Sequence, residues 1–489
     1  MLQEQVYTVY GELLRGELIT AMGCTEPIAI AYAGALARQI LGREPDTLQL
    51  ACSGNIVKNV KGVTVPNSGG RRGIEIAALL GVCGGDATRR LAVLESVTDA
   101  TRARAVELLE AGICTTSLIE GTDNLVVQVT ARAGADEAFV EIRTTHTNVT
   151  RMEHNGENLM EGECARQVCA PAPDKSLLNV RDILTYGETV DLDTIRDVLE
   201  NQITCNRAIS DTGLAGHYGA EVGATLRGMF QEGPFEMRAA AAAAAGSDAR
   251  MNGCPLPVVI NSGSGNQGLT ITMPVLLYAE ENQVDHDSLL RALAIANLMS
   301  IHQKRFIGSL SAYCGATSAA CAAAVGICWL QGGSYEQICG VITNTLATLG
   351  GMWCDGAKSS CASKIAAAVD AGLDELCLTD HVDTVYWGPE QKPRWDFDWD
   401  AVRRQFRQAQ EQWGHRITLR LGAELGEAAM SFQRAEHLMQ NAPPLDFVIG
   451  SVHMAGKKFH HKDLYYIEKA DEAYYDSVID SYLEDVLAL

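Results

Sequence analysis

Positive charge is scarce in this chain: 39 Lys and Arg stand against 61 Asp and Glu, for a formal net charge of −22. A nucleic-acid backbone or an anionic membrane surface needs a basic face, so neither is expected as a partner. Polar low-complexity tracts are absent, and 47% apolar with 20% charged residues is the balance of a folded globular chain. The opening MLQEQVYTVYGELL is charged early and lacks the apolar segment of a signal peptide. A reducing cytoplasm is therefore expected. CxxC pairs are also missing, so the 15 cysteines do not read as a disulfide or zinc framework. In a reducing compartment they are buried apolar residues, metal ligands or nucleophiles. One uncharged run, SLSAYCGATSAACAAAVGICWL (309–330), is long enough to span a bilayer. It is built from Ala, Gly, Ser, Thr and Cys rather than Leu, Ile and Phe, and predicts a buried helix in a helical core.

A length of 489 residues implies about two to four domains. The first third mixes element types. Leu13 to Leu41 is helical in pattern, TLQLACSGNIV predicts a strand leading into a Gly-Asn turn, and Gly73–Leu80 and Ala100–Ala111 are helical again. NLVVQVTARA and EAFVEIRTTHTNV alternate apolar and polar residues as half-buried strands do. From about Val180 to Val369 the period is almost wholly helical, with Ala-rich faces between Gly-rich turns. Beyond that the tryptophans crowd together and strand-like ITLRLGAEL and DFVIGSVH appear. The expected fold is α+β: an α/β domain over 1–170, a mostly α-helical domain over 171–368 and a third segment over 369–489.

Four cysteines stand out by context. Cys24, in MGCTEPIAIAYA, falls where a Gly turn enters a helix. A helix N-terminus lowers a thiol pKa, and Glu26 in the first turn adds acid–base potential. Cys314 in SAYCGA, Cys354 in MWCDGA and Cys361 in SSCAS border small residues, which leave room for a bulky inorganic group. A cysteine beside glycine is also what a plain core position looks like. Two polar loops offer backbone N–H groups and short side chains to a carboxylate or phosphate. One is Ser53-Gly54-Asn55 with Lys58 and Asn59; the other is NSGSGNQG, with Ser262, Ser264 and Asn266. Either could equally be a tight turn. His146 in TTHTN follows a strand and suits a base, a carboxylate partner or a satisfied histidine.

Taken in order, GCTEP, SGN followed by KN and VP, HTN, NSGSGNQG ahead of MPV, SxxCGA and GMxCDGAxxSCA resemble the L-cysteine desulfidase family, a relative of the iron–sulfur L-serine dehydratases. The resemblance runs from about residue 5 to about 365. It implies a 4Fe-4S cluster held by only three cysteines, with Cys314, Cys354 and Cys361 as ligands. A rival assignment puts Cys24 in place of Cys361. Otherwise Cys24 serves substrate handling or proton transfer. One iron then lacks a protein ligand and is open to act as a Lewis acid. The implied reaction is β-elimination of L-cysteine to aminoacrylate, which hydrolyses to pyruvate and ammonia, with sulfide released and no pyridoxal phosphate. Cys24, His146 and Lys58 are the candidate bases, with Glu26 beside them. Thr25, Ser53, Asn55, Asn59, Ser262, Ser264 and Asn266 are the candidates to bind the small amino acid. L-Serine dehydratase and a non-enzymatic iron–sulfur protein are the alternatives, and a homo-oligomer is compatible with either.

From about Ala366, AGLDELCLTDHVD, ITLRLGAELGE and DFVIGSVHMAGKK resemble a second family, the PHP metallophosphoesterases, most closely histidinol-phosphatase. That family binds two or three metal ions in a distorted (β/α) barrel, at strand ends. The resemblance assigns metal ligands to His381, Glu424 and His453. The family's opening His-x-His and closing Asp-x-His are not found, so a partial barrel is expected, with a seam between two families near residue 368. A metal-dependent phosphoesterase is the corresponding alternative function.

Overall fold

Alternation of buried and exposed positions builds the first half of the protein. The computed structural model describes residues 2–160 and 173–451, apart from 309, 312, 350, 353, 355, 374, 385–392, 414–417, 429–430 and 446. Between α1 (Glu4–Glu17) and α2 (Thr25–Leu41) lies a short strand, β1 (Thr20–Met22), so the helical pattern at 13–41 is interrupted. Then come β2 (Thr47–Ser53), α3 (Gly54–Lys61), α4 (Ile74–Gly84) and α5 (Asp99–Glu110). Five further strands follow: β3 (Cys114–Ile119), β4 (Val126–Ala133), β5 (Asp136–Arg143), β6 (Val149–His154) and β7 (Glu157–Asn158). The sheet order is β3-β2-β4-β5-β6-β7, with β2 parallel to β3 and antiparallel to β4.

Helix α2 covers β4 and β5, and α4 lies against α2. A Cβ on Gly81 of α4 would stand 2.0 Å from the Ala31 carbonyl oxygen of α2, so only glycine allows this approach. The expected Gly-Asn turn after β2 is instead the first turn of α3. Glycine at a helix start costs little, because the first N–H groups have no intrahelical acceptor.

The helical half comprises α6 (Val180–Thr189), α7 (Arg196–Ala215), α8 (Val222–Met229), α9 (Phe235–Met251), α10 (Gly265–Glu281), α11 (His286–Ile307), α12 (Gly315–Leu330), α13 (Tyr335–Thr348) and α14 (Cys361–Leu373). Every residue of α9 from Ala239 to Met251 is buried. Alanine favours the helix and has almost no cross-section, so neighbours close in on every side. Gly213 of α7 and Gly223 of α8 both touch the Ala245 backbone. A short strand, β8 (Pro257–Val259), pairs antiparallel with β1 and joins the two halves. Residues 315–330 form buried α12, and among the described residues no helix is long and apolar enough to cross a membrane.

One hydrophobic core runs from the sheet through α9 to Ala366, Ala368 and Val369 of α14. A second gathers Tyr10 and Leu14 of α1 with Ile183, Leu293 and Ala322. The chain's first helix therefore packs with the helical half. The chain divides into two compact units, Met1–Leu373 and Asp374–Leu489. The composition changes near 368, but α14 continues past it because its apolar face belongs to the first core.

The second unit contains β9 (Glu375–His381), α15 (Trp399–Trp413), β10 (Thr418–Gly426), α16 (Phe432–Met439) and β11 (Phe447–Ser451). The three strands are parallel, in the order β11-β10-β9. Val382, Trp399, Val402, Leu421, Ala423 and Leu438 form its core, and Trp399 Nε1 donates to the Leu438 carbonyl at 2.6 Å. Among the described residues this sheet is open, since three strands cannot close a barrel.

Candidate active site

The N-termini of four helices meet at one place, each for a local reason. Cys24 is the N-cap of α2, Ser264 of α10 and Cys314 of α12, and Cys361 opens α14. None of the first three caps donates or accepts a side-chain hydrogen bond to its own helix, which leaves free N–H groups and positive dipole ends in the site. Their convergence is documented by contacts. Cys24 and Cys361 share a small cluster with Met251 at the end of α9. Thr25 Oγ1 donates to the Gly263 carbonyl at 2.9 Å. Gln267, in the first turn of α10, lies directly over Gly315 beside Cys314.

Glu26 is the hub. Its Oε2 accepts from the Cys24 thiol at 2.8 Å and from Thr25 Oγ1 at 3.3 Å, and its Oε1 accepts from Asn59 Nδ2 at 2.8 Å. His146 Nε2 stands 3.9 Å from Oε1, in electrostatic range but beyond a hydrogen bond. Burial pushes the Glu26 carboxyl up. The adjacent His146 and the hydrogen bonds from Cys24 and Asn59 outweigh it and hold Glu26 ionised, well below the usual range. Burial first, and the Glu26 charge second, push the Cys24 thiol well above its ordinary value, although Arg250 opposes this. Cys24 is thus a neutral donor here.

The three thiols of Cys314, Cys354 and Cys361 feel one another. Burial raises Cys314, the Ala316 N–H lowers it, and Cys354 and Cys361 raise it again. Burial also raises Cys361, against the Lys358 backbone and Arg250, with Cys354 adding to the rise. Lys304 is depressed by burial while Cys314 and Cys354 pull it back, so that ammonium faces the same thiols. The backbone closes the group, with Cys314 N bonded to Met352 O at 3.0 Å. Among the described residues, no three His, Cys, Asp or Glu side chains stand close enough to share a single metal ion. An iron–sulfur cluster is wider than one ion, and three soft thiols under cationic side chains are the donor set it takes. On that chemistry the residues fit the cluster.

Of the other expected residues, some lie at this point and some do not. Asn59 does, through Glu26, and Lys58 lays its backbone and stem on Gly356 between Cys354 and Cys361. The Ser262–Ser264 turn rests on the His146 ring, because a Cβ on Gly263 would meet that ring at 3.3 Å. Ser262 adopts a left-handed φ of 51° and its hydroxyl donates to Asn261 Oδ1. Ser53 and Asn55 turn instead to Asn124: Ser53 Oγ donates to its carbonyl and accepts from Val126 N, and Asn55 Nδ2 donates to its side chain. Sequence reasoning missed Arg250 and Gln267. The signal for Arg250 was present, since a charge closing an alanine run with no polar face must itself be buried.

Four buried polar atoms around this point lack hydrogen-bond partners: Asn59 Oδ1, His146 Nε2, Arg250 Nε and Gln267 Oε1. Orphaned buried groups are rare in folded proteins, so four together mark a place that a polar ligand completes.

In the second unit, register sets His381 of β9 beside Glu424 of β10, at the C-terminal ends of adjacent parallel strands. His453 lies outside the described residues.

This arrangement of thiols and acid–base groups at helix ends belongs to a known class. The sequence profile of the serine dehydratase alpha chain matches residues 88–380, and that of the PHP domain matches 352–489, so the two overlap over 352–380. The chain belongs to the serine dehydratase alpha chain family, which depends on iron–sulfur chemistry rather than pyridoxal phosphate, and carries a C-terminal PHP domain. Within that class its relatives are UPF0597 proteins. One from Finegoldia magna is 48% identical over 370 residues, covering 76% of this chain and 88% of the relative. One from Lachnoclostridium phytofermentans is 48% identical over 363 residues, covering 74% and 86%. A more distant one from Porphyromonas gingivalis is 34% identical over 376 residues, covering 75% and 86%.

Proposed function

We propose that the first unit is a 4Fe-4S-dependent lyase that eliminates the thiol of L-cysteine, giving pyruvate, ammonia and hydrogen sulfide. The observation that carries this reading is the set of four orphaned polar atoms between the Glu26 network and the three thiols. Cys314, Cys354 and Cys361 would hold the cluster. When bound, it supplies an iron open to a substrate heteroatom, hence Lewis-acid assistance to a leaving group.

The chain's own residues then divide the proton work. His146 Nε2 is buried and unpaired, so it is free to accept the Cα proton, with the Glu26 charge behind it to stabilise the imidazolium formed. The Cys24 thiol, kept protonated and oriented by Glu26, supplies a proton to the departing sulfur. Loss of the Cα proton and of HS⁻ leaves aminoacrylate. Water then converts aminoacrylate to pyruvate and ammonia. Burial of Cys24, Thr25, Glu26, Asn59 and Gln267 keeps bulk water from the proton carriers.

The test is anaerobic purification of the full chain, iron and acid-labile sulfide analysis, and assay of L-cysteine beside L-serine. Sulfide release at a kcat/KM above that for ammonia release from L-serine supports the desulfidase reading. The reverse order gives a serine dehydratase. A colourless protein inactive on both, after reconstitution with iron and sulfide, refutes the lyase. For the second unit, the His381–Glu424 register supports a metal-dependent phosphoesterase reading. Hydrolysis of histidinol phosphate with added manganese tests it.

A further inference from the structure

We infer that Arg250 is the anchor for the substrate's carboxylate, an inference that rests on the proposed lyase reading for the identity of the substrate but not for the binding of an anion. Arg250 closes α9 and is only 2% exposed. Its Nη1 bonds to neutral partners, Asn266 Oδ1 at 3.0 Å and Met251 Sδ at 3.4 Å, and its Nε has none. Among the described residues no carboxylate pairs with it. A guanidinium is always charged, and a buried unpaired charge is strongly unfavourable.

The immediate surroundings deepen the deficit. A Cβ on Gly265 would stand 2.3 Å from Arg250 Nε, so the guanidinium lies across the first residue of α10. That is the positive end of a 17-residue helix. A cation pressed on a helix N-terminus is a repulsive pair that only an anion placed between them makes favourable. The carbonyl end of α9 itself offsets part of the charge, about half a unit. The remainder faces the reaction site, since Arg250 lowers both the Cys24 and the Cys361 thiols.

The ligand class follows. Asn266 Oδ1 holds one edge of the guanidinium, and Nε remains for a planar oxyanion. A carboxylate seated there, between Cys24 and the start of α10, leaves its α-carbon toward the thiols. Gly265 is the specificity device: any side chain there would displace the guanidinium.

The experiment uses the full chain and two probes measured by anaerobic calorimetric titration: L-alanine, which has the carboxylate but no leaving group, and L-alaninamide, in which a neutral amide replaces it. Wild type should bind L-alanine at least about tenfold more tightly than the amide, the loss expected for one charge-assisted contact. Arg250→Gln should abolish that preference, Arg250→Lys should keep part of it, and Gly265→Ala should lose it with the charge still present. Circular dichroism checks folding; if Arg250→Gln does not fold, the Arg250→Lys and Gly265→Ala pair decides. A wild type that prefers neither probe overturns the inference. So does an Arg250→Gln variant that keeps the preference, whatever its lyase activity. L-Alanine preference lost in Arg250→Gln without sulfide release from the wild type upholds the anchor and refutes the lyase.

Discussion

Replacing Glu26 with Gln keeps the shape of the side chain and removes its charge. In the native protein Glu26 accepts from Cys24 and Asn59, both at 2.8 Å, and more weakly from Thr25 at 3.3 Å. An amide oxygen can retain the Asn59 bond, but the amide nitrogen then faces the Cys24 thiol, donor against donor. One charge-assisted bond is lost outright, about 1.5–3 kcal/mol, and relief of the carboxylate's desolvation returns part of it. The net expectation is a loss of about 2 kcal/mol for the first unit. With a urea m-value of about 3 kcal/mol/M for a unit of this size, its unfolding midpoint should fall by about 0.7 M at pH 7.5. The sign of the pH dependence is fixed. The folded pKa is depressed, so the stabilisation is complete above the unfolded value of about 4.3 and is lost progressively as pH falls below it. The difference between wild type and Glu26→Gln should therefore shrink on acidification from pH 4.5 to 3. Turnover should fall by at least about a hundredfold, the usual scale for a disabled proton-transfer group. A Glu26→Gln variant with an unchanged midpoint and unchanged kcat/KM would refute the hub.

Three further outcomes are expected. Cys314→Ser, Cys354→Ser and Cys361→Ser should each lose bound iron and its visible absorbance, whereas Cys24→Ser should keep the iron and lose turnover; iron loss in Cys24→Ser with iron retained in Cys361→Ser reverses the ligand assignment. Gly81→Val should cost several kcal/mol through overpacking against the Ala31 carbonyl, read as a large drop in melting temperature, and a near-native value contradicts the close approach. Burial pushes Asp248 up to about 6 despite its backbone donors at Gly223, Val222 and Ala220. It therefore withdraws about 3 kcal/mol of stability as pH rises from 4 through 6, a slope that Asp248→Asn should flatten in a melting series.

How much of this was written locally can be traced residue by residue. Strands β4 and β5 are plain in the alternation of VVQVTARA and EAFVEIR, where every second side chain is buried. Cys24 as a helix cap was equally readable from Gly-Cys-Thr-Glu-Pro ahead of an apolar run. Direction was not. SGN offered donors to a ligand, yet Ser53 and Asn55 satisfy Asn124, which lies some seventy positions away in sequence. The seating of Gly263 on His146 and of Gln267 on Gly315 depends on long-range packing that no local period encodes. Arg250 looked like the solvated end of an alanine helix, and only the packing of α7, α8 and α14 around α9 makes it a buried charge.

Helix α9 has one more consequence, and it is calorimetric. Ala239–Ala245 is fully interior, as are Ala292, Ala294 and Ala296 of α11 and Ala319–Ala324 of α12. Alanine freezes no rotamers when it is ordered, and each one takes little hydrocarbon out of water. The helical half therefore loses little side-chain entropy on folding and gains little from hydration per residue. Because the heat-capacity increment of unfolding follows exposed apolar area, it should be low for a chain of this length. A small increment gives a broad, shallow stability curve, with the folded state losing little ground between cold and warmth.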